Sequence, residues 1–305
     1  MHQPGSEGPP LSVVVACCEP WPELEPCLAA LWDQACAAGA EVVVGDGDGD
    51  ALPPDADTRF PGLRRVVEHG ASPLRLRFLG VEAARGEIVA ITEDHCRPAP
   101  DWCAAAIAAH RAHPEAAAIG GSVENGATGR LIDWAGFFIA HGPFLPPVGS
   151  GERTSIALQA NVTYKRAALA ALPPPPEGEM MELHVNNALR ALGRVLRVED
   201  SLRAVHDQSL GVRGTSAGHF HNGRSIAGLR IAYASPWERL WRGAGAPALP
   251  LVLTARSSRA VLARRRDRVT LVKALPAMLW LTSCHAAGEL VGSIAGPGSS
   301  PSRLD

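Results

Sequence analysis

The sequence predicts an α/β fold in which a mostly parallel sheet is flanked by helices. Three observations carry this. Residues 12–18 (SVVVACC) and 41–44 (EVVV) are short, nearly continuous runs of β-branched apolar residues, the pattern of strands buried on both faces. Residues 24–38 between them are amphipathic, and strand, helix, strand in that order makes a βαβ unit. A third run, 87–92 (EIVAIT), repeats the strand pattern further on.

The elements follow in chain order. Pro20 and Pro22 break the first strand from the first helix, and the second strand ends in the Gly/Asp-rich turn 45–50 (GDGDGD). Residues 51–73 read as loop, 81–85 as a short helix and 87–92 as the third strand. The Ala-rich stretch 102–113 is a helix and 116–123 (AAAIGGSV) another strand. A short strand at 161–164 precedes a helix at 166–172, which four prolines at 173–176 stop. Residues 181–192 are helical with Gly193 as C-cap, and 194–198 is one more strand. Residues 12–230 therefore read as one α/β domain. The polar, Pro/Gly-rich segment 1–11 is expected to be disordered, and it lacks the pattern of a signal peptide.

Composition narrows the class. The 305 residues are 46% hydrophobic and 20% charged, with a mean hydropathy of +0.02. That excludes a disordered chain, a disulfide miniprotein and a polytopic membrane protein. A formal charge of -2 supplies no field for nucleic acid. The seven cysteines, at 17, 18, 27, 36, 96, 103 and 284, contain no CxxC pair. They read as small buried hydrophobes in a reducing cytosol.

The region 231–305 differs in character and reads as a helical, membrane-associating extension with a polar tail. Residues 246–255 are apolar, 256–268 hold six Arg against one Asp, and 269–283 are apolar again, interrupted by Lys273 and Pro276. Neither apolar run reaches the roughly 18–20 uninterrupted residues of a spanning helix. Short apolar segments around a basic one predict peripheral contact with an anionic membrane through 246–295. A helical hairpin packed on the rest of the protein is the alternative.

In open α/β sheets, ligands bind at the carboxyl ends of the strands. Three predicted strands end in acidic or polar clusters: Cys17-Cys18-Glu19, Gly45-Asp46-Gly47-Asp48 and Glu93-Asp94-His95. Converging carboxylates repel one another unless a cation or a hydroxyl-rich ligand sits among them. Carboxylate plus imidazole at 93–95 suits Mn²⁺ or Mg²⁺ with positions left open for phosphate oxygens.

Taken in order, SVVVACCEPWPEL, EVVVGDGDGD, RFLGVEAARGEIVAITEDHCRPAPDW and MELHVNNALRALG resemble the series of motifs in family 2 glycosyltransferases of GT-A fold. The resemblance spans roughly residues 12–225. It implies a nucleoside-diphosphate sugar as donor and a divalent cation, Mn²⁺ or Mg²⁺, as cofactor. Glu19 and Asp46 would bind the ribose and base, Arg77 would contact the nucleotide, and Gly80 and Gly86 occupy the family's glycine places. Glu93 takes the first place of the DxD motif, near the ribose or sugar, Asp94 between would contact donor and metal, and His95 takes the last, the metal ligand. His206 falls where a further metal-binding His is common. Glu182 would be the general base, deprotonating an acceptor hydroxyl in an inverting transfer. Three positions depart from the family pattern: His95 replaces an Asp, Phe78 stands where an Asn usually follows the Arg, and Met181 precedes Glu182 where a second acid is usual, with Glu179 as a substitute carboxylate.

Other candidates have two readings each. Trp102 either stacks on sugar or acceptor or lies in the core. The aromatic stretch 133–147 is an acceptor loop or lid, or plain core. Asn161 lines the substrate pocket or caps a strand. His184, two residues beyond Glu182 and so on another face of its helix, is an acceptor contact or structural. His219, His221 and Arg224 bind a diphosphate or acidic lipid head, or form a solvated turn. The expected function is transfer of a sugar to a lipid-linked or polysaccharide hydroxyl in the cytoplasm, at the inner face of the cell membrane. Two rivals remain: a GT-A domain that binds nucleotide or a partner without turnover, and a nucleotidyltransferase, whose Gly-rich basic loop is missing at 17–22.

Overall fold

The computed structural model describes residues 8–231, 235, 237 and 245–304. Residues 1–7 of the segment expected to be disordered, and 232–234, 236, 238–244 and 305 of the C-terminal region, lie outside the described residues. The chain forms two compact units, one of residues up to 123 with 148–205, the other of 124–147 with 206 onward. Residues 124–147 and 206–230, contiguous in sequence with the α/β elements, thus group with the C-terminal helices.

The first unit opens with β1 (Leu11–Cys17), α1 (Glu25–Ala37) and β2 (Glu41–Asp46), the expected βαβ unit. Then come α2 (Ala56–Arg59), β3 (Arg64–Val67), α3 (Pro73–Ala83), β4 (Ile88–Glu93), β5 (Cys96–Pro98), α4 (Trp102–Ala112) and β6 (Ala116–Asn125). After α5 (Leu131–His141), which belongs to the second unit, follow β7 (Gly151–Glu152), β8 (Val162–Lys165), α6 (Arg166–Ala170), α7 (Glu182–Ala191) and β9 (Val195–His206). The sheet order is β3-β2-β1-β4-β8-β6-β9-β5, with β7 added on β9. It is parallel through β3, β2, β1 and β4. Beyond β4 the sheet is mixed: β8 runs antiparallel to both β4 and β6, and β7 to β9.

The continuous apolar run of β1 is explained by burial on both faces. Leu11, Val13 and Val15 join Leu28 and Leu31 of α1 and Trp102 and Ala106 of α4 in one core. Each such side chain contributes about 1.5–3 kcal/mol on burial. Val14 points the other way, under α3, where Gly80 leaves no Cβ to collide with its methyl group. That close approach fixes α3 against the sheet and sets where its Arg77 emerges.

The amino-terminal edge of the parallel strands is closed by a carboxylate. Glu41 accepts hydrogen bonds from Ser12 Oγ at 2.6 Å, the Arg85 backbone N–H at 2.6 Å and the Arg85 guanidinium at 2.9 and 3.0 Å. Burial opposes its charge, but these donors outweigh burial and hold the carboxyl below its ordinary range.

The second unit is helical: α5, α8 (Gly211–Arg230), α9 (Leu249–Ala263) and α10 (Arg268–Ala295). The aromatic stretch expected as an acceptor loop is instead α5 and a short 3₁₀ turn, Gly142–Phe144. Phe137 and Phe138 are buried, with Trp134 packed 5.2 Å from Phe138. The apolar run 269–283 continues as helix to Ala295, so α10 is long and apolar enough to cross a membrane by length and composition.

Candidate active site

Because β2, β1 and β4 are parallel neighbours, their acidic carboxyl ends converge, as the strand-end clusters predict. Cys17 pairs in register with Asp46, and Ala16 with Glu93. Glu19 follows β1 as an exposed residue.

Asp46 has a different task from the expected ribose or base contact. It is 1% exposed, and its carboxylate accepts from the backbone N–H groups of Asp48, Gly49 and Ala51 at 3.2, 2.6 and 3.2 Å. Arg65 closes the remaining side with Nε at 2.7 Å. Both oxygens are thus spent on shaping the 46–51 turn, and Asp48, exposed on that turn, carries the free carboxylate toward solvent. A cavity of about 420 Å³ lies beside this turn, lined by Asp50, Pro54, Phe60 and Arg65 among others.

Arg77 likewise departs from expectation. Only 7% exposed, its guanidinium donates through Nη2 to Glu93 Oε1 at 3.1 Å and lies with Nη1 3.5 Å from Glu182 Oε2. Two buried carboxylates from β4 and α7 occupy the arms expected to reach a nucleotide, so Arg77 positions those carboxylates. Glu182 is the first residue of α7, where the helix dipole favours an anion. It is 1% exposed, and its Oε1 has no hydrogen-bond partner among the described residues. Burial raises its pKa above the ordinary carboxylate value, against the lowering pull of Arg77. A buried carboxylate with one free oxygen and a raised pKa has the properties of a general base. Glu179 fits less well: burial raises its pKa too, but it is only half-buried and receives the Ser72 hydroxyl, and Ser72 caps α3 by accepting the Arg75 N–H at 3.0 Å.

At the end of β4, His95 is held from two sides. Its Nδ1 lies 2.7 Å from Asp94 Oδ1 and its Nε2 3.5 Å from Glu93 Oε2. Burial works against a charged ring, but Glu93 and the hydrogen bonds to both acids prevail and push its pKa up to about 10. Glu93, His95 and Cys96 each offer a ligand atom within 4.8 Å of the others. Cys96 escapes a sequence reading that treats the cysteines as core; its thiol sits 3.9 Å from Glu93 Oε2. Carboxylate oxygens beside an imidazole form a donor set that fits Mn²⁺ or Mg²⁺.

Trp102 and Asn161 are corrected from substrate contacts to a structural hub. Trp102 is 0% exposed, and its indole N–H donates to Asn161 Oδ1 at 2.8 Å. Asn161 Nδ2 donates in turn to the carbonyls of Ser122 and Leu202, at 2.8 and 3.1 Å. Every polar atom of the pair is consumed within the core, so neither is left to meet an acceptor. His184 is half-buried on α7. In the helical unit, His206 ends β9 with its ring 4.7 Å from that of His141. Arg224 donates from Nε to the Gly296 carbonyl at 3.2 Å and His221 Nδ1 pairs with Ser300 Oγ at 3.0 Å, so both bind the turn after α10 and not a solvated diphosphate. His219 is held well below the usual imidazole range, at about 4, by burial and by nearby His285.

The family model for glycosyl transferase family 2 matches residues 12–171, just over half of the chain. The chain belongs to glycosyl transferase family 2. Glu182 and His206 lie beyond the matched residues. The fold of this glycosyltransferase is that of GT-A enzymes. Among solved structures it is similar to the mannosyltransferase PcManGT from Pyrobaculum calidifontis, determined in complex with GDP-Man and Mn²⁺. That match has a TM-score of 0.53 and 20% identity and covers 89% of this chain and 75% of that one. It is also similar to TarS from S. aureus, with a TM-score of 0.50 and 13% identity, covering 92% of this chain and 90% of that one. A comparison with curated proteins finds no match.

Proposed function

We propose that this glycosyltransferase moves a sugar from a nucleoside-diphosphate donor to an acceptor hydroxyl with inversion at the anomeric carbon. The observation that carries this is Glu182: buried, pinned on one oxygen by Arg77 and free on the other. Its free Oε1 takes the proton as the acceptor oxygen attacks the anomeric carbon and the nucleoside diphosphate departs. No covalent enzyme intermediate is needed. Glu19 and the turn shaped by Asp46 hold the nucleotide, with Asp48 as its exposed carboxylate.

Glu93 and His95 would hold a divalent cation, with Cys96 beside them and Asp94 fixing the imidazole. Bound there, Mn²⁺ or Mg²⁺ neutralises charge on the leaving diphosphate. The similar mannosyltransferase, determined with Mn²⁺ and a sugar nucleotide, supports the cation and the class of donor. The acceptor is lipid-linked or a polysaccharide, and the enzyme works at the inner face of the cell membrane; the exposed apolar side chains of α9 and α10 support that placement.

The test is donor binding and turnover across UDP-, GDP- and dTDP-sugars with Mn²⁺, Mg²⁺ or EDTA, offering lipid extracts as acceptor. One donor turned over only with metal, with turnover lost in Glu182→Gln while binding persists, is the expected result. Met181, in place of a second acid, favours one alternative, a nucleotide-binding domain without turnover. Tight donor binding with no transfer to any acceptor would establish that alternative instead.

A further inference from the structure

The helical unit carries a surface that the transfer chemistry leaves unused. Along α10, residues 269, 272, 276, 279, 283, 287, 290 and 294 recur every three or four positions and are all exposed, so they form one stripe about 37 Å long at 1.5 Å per residue. It is apolar almost throughout, with Val269, Val272, Leu279, Leu290 and Ile294 in it and Trp280 alongside. Val272 is 64% exposed. Leu251 and Val252 of α9 are exposed as well. Contiguous apolar exposure on this scale marks an interaction surface.

Two further observations choose its occupant. Arg256, Arg259, Arg265, Arg268 and Lys273 lie on α9, on the turn between the helices and on the start of α10, and none has an ion pair among the described residues. The acids of the α9–α10 segment are Asp267 and Glu289. Asp267 is paired with Arg266, and Glu289 with Arg230 and His285. A second copy applied to the same face therefore brings no free carboxylate for five cations, whereas anionic headgroups do.

The packing of α10 also decides how it meets a bilayer. Its inner stripe, Leu271, Ala274, Met278 and Leu281, is buried, and further along Gly288 and Gly292 face the α8 backbone at Phe220 and Arg224, where any Cβ would collide. Spanning would uncover that stripe, pull Gly288 and Gly292 off α8 and carry Lys273 and Glu289 into hydrocarbon, where charges are costly.

We propose that the outer stripe of α10, with α9 and the cations between them, lies in the plane of an anionic bilayer as a peripheral docking face. This rests on the membrane placement proposed above and assigns it residues, a lipid charge and an orientation. The apolar stripe sinks to the headgroup–acyl boundary while the Arg and Lys heads stay at phosphate level.

The full chain is mixed with phosphatidylcholine vesicles containing 30% phosphatidylglycerol, or none, and floated at about 0.1 M salt. Binding at least tenfold stronger to the anionic vesicles is expected, weakening as salt rises. Val272→Asp, at an exposed position, reduces it at least tenfold with circular dichroism unchanged. The triple change Arg256→Ser, Arg259→Ser and Arg268→Ser reduces it roughly a hundredfold, at about fivefold per cation. Lipids brominated near the headgroup quench fluorescence that disappears in Trp280→Phe, and lipids brominated at the chain ends do not. No flotation, flotation indifferent to lipid charge, quenching from the bilayer centre, or a dimer in solution that Val272→Asp dissociates would each overturn the proposal. Donor binding by the same samples is scored separately: loss of flotation with donor binding intact sinks only the docking face, and the reverse sinks only the transferase reading.

Discussion

The two ends of the parallel strands each carry a buried carboxylate, and they are finished differently. At the amino-terminal edge, Glu41 is surrounded by donors from Ser12 and Arg85, and its pKa is pulled down. At the carboxyl edge, Glu182 has one guanidinium at 3.5 Å, an oxygen with no partner, and a pKa pushed up by burial. On the mechanism proposed above, the fold that satisfies one carboxylate so fully leaves the other incomplete where a substrate proton can complete it. Satisfaction, more than burial, separates a structural acid from a working one.

The sharpest way to break this contrast is to neutralise each acid in turn. Glu182→Gln should lower kcat by about 10²–10⁴-fold with donor binding within threefold of wild type. Its melting temperature at neutral pH should not fall, because burial already favours the uncharged form. A large loss of stability with unchanged kcat would reverse the roles assigned here. Glu41→Ala should do the opposite, costing about 1–3 kcal/mol in urea unfolding as the Ser12 hydroxyl and the Arg85 backbone N–H lose their acceptor, with kcat per folded molecule preserved. The pH dependence follows from the sign of the shift. Glu41, lowered in the folded state, contributes stability above its ordinary pKa of 4.5 that is lost as pH falls through its folded value. Glu41→Gln should therefore flatten the acid side of the stability profile below about pH 4.5.

An effect on stability alone tests the core hub. Asn161→Ala removes the acceptor of the Trp102 indole and the donor to two carbonyls, and should cost about 2–3 kcal/mol without altering KM for the acceptor. A rise in acceptor KM at full stability would return Asn161 to the substrate pocket. The smallest change is Arg77→Lys. One ammonium cannot face Glu93 and Glu182 as a planar fork does, so Glu182 is less well held as an anion. The acidic limb of kcat/KM should move to higher pH, and an unmoved limb would detach Arg77 from the base.

Much of the fold was legible because β1, β2 and β4 are buried on both faces and therefore read as continuous apolar runs. The elements that escaped have mixed faces. β3 is an edge strand of sequence RRVV with alternating burial, which looks like loop when scanned for apolar runs. α3 begins at Pro73, well before 81–85, because Ser72 caps it and Pro73 opens it; its buried face includes Arg77, which breaks the apolar period. β9 extends to His206 through Glu199-Asp200-Ser201, a polar stretch that mimics a turn. At the site, the residue types were legible and their partners were not. Glu93, Asp94, His95 and Glu182 stand at the carboxyl edge as the motifs imply. Nothing in sequence order reveals that Arg77 is shared by two acids or that Arg65 and three backbone amides consume Asp46, since those contacts join residues distant in the chain or depend on the turn's own geometry.

The Asp46 turn has a consequence for how this enzyme can change. Its shape is set from inside, by bonds that run from one buried side chain to the backbone of its successors. Asp48 and Asp50, exposed on the same turn, are not among the acceptors that hold it. Their identities can drift without refolding the loop that carries them. On the nucleotide placement proposed above, substitution at these two positions re-specifies donor preference while the scaffold beneath stays constant.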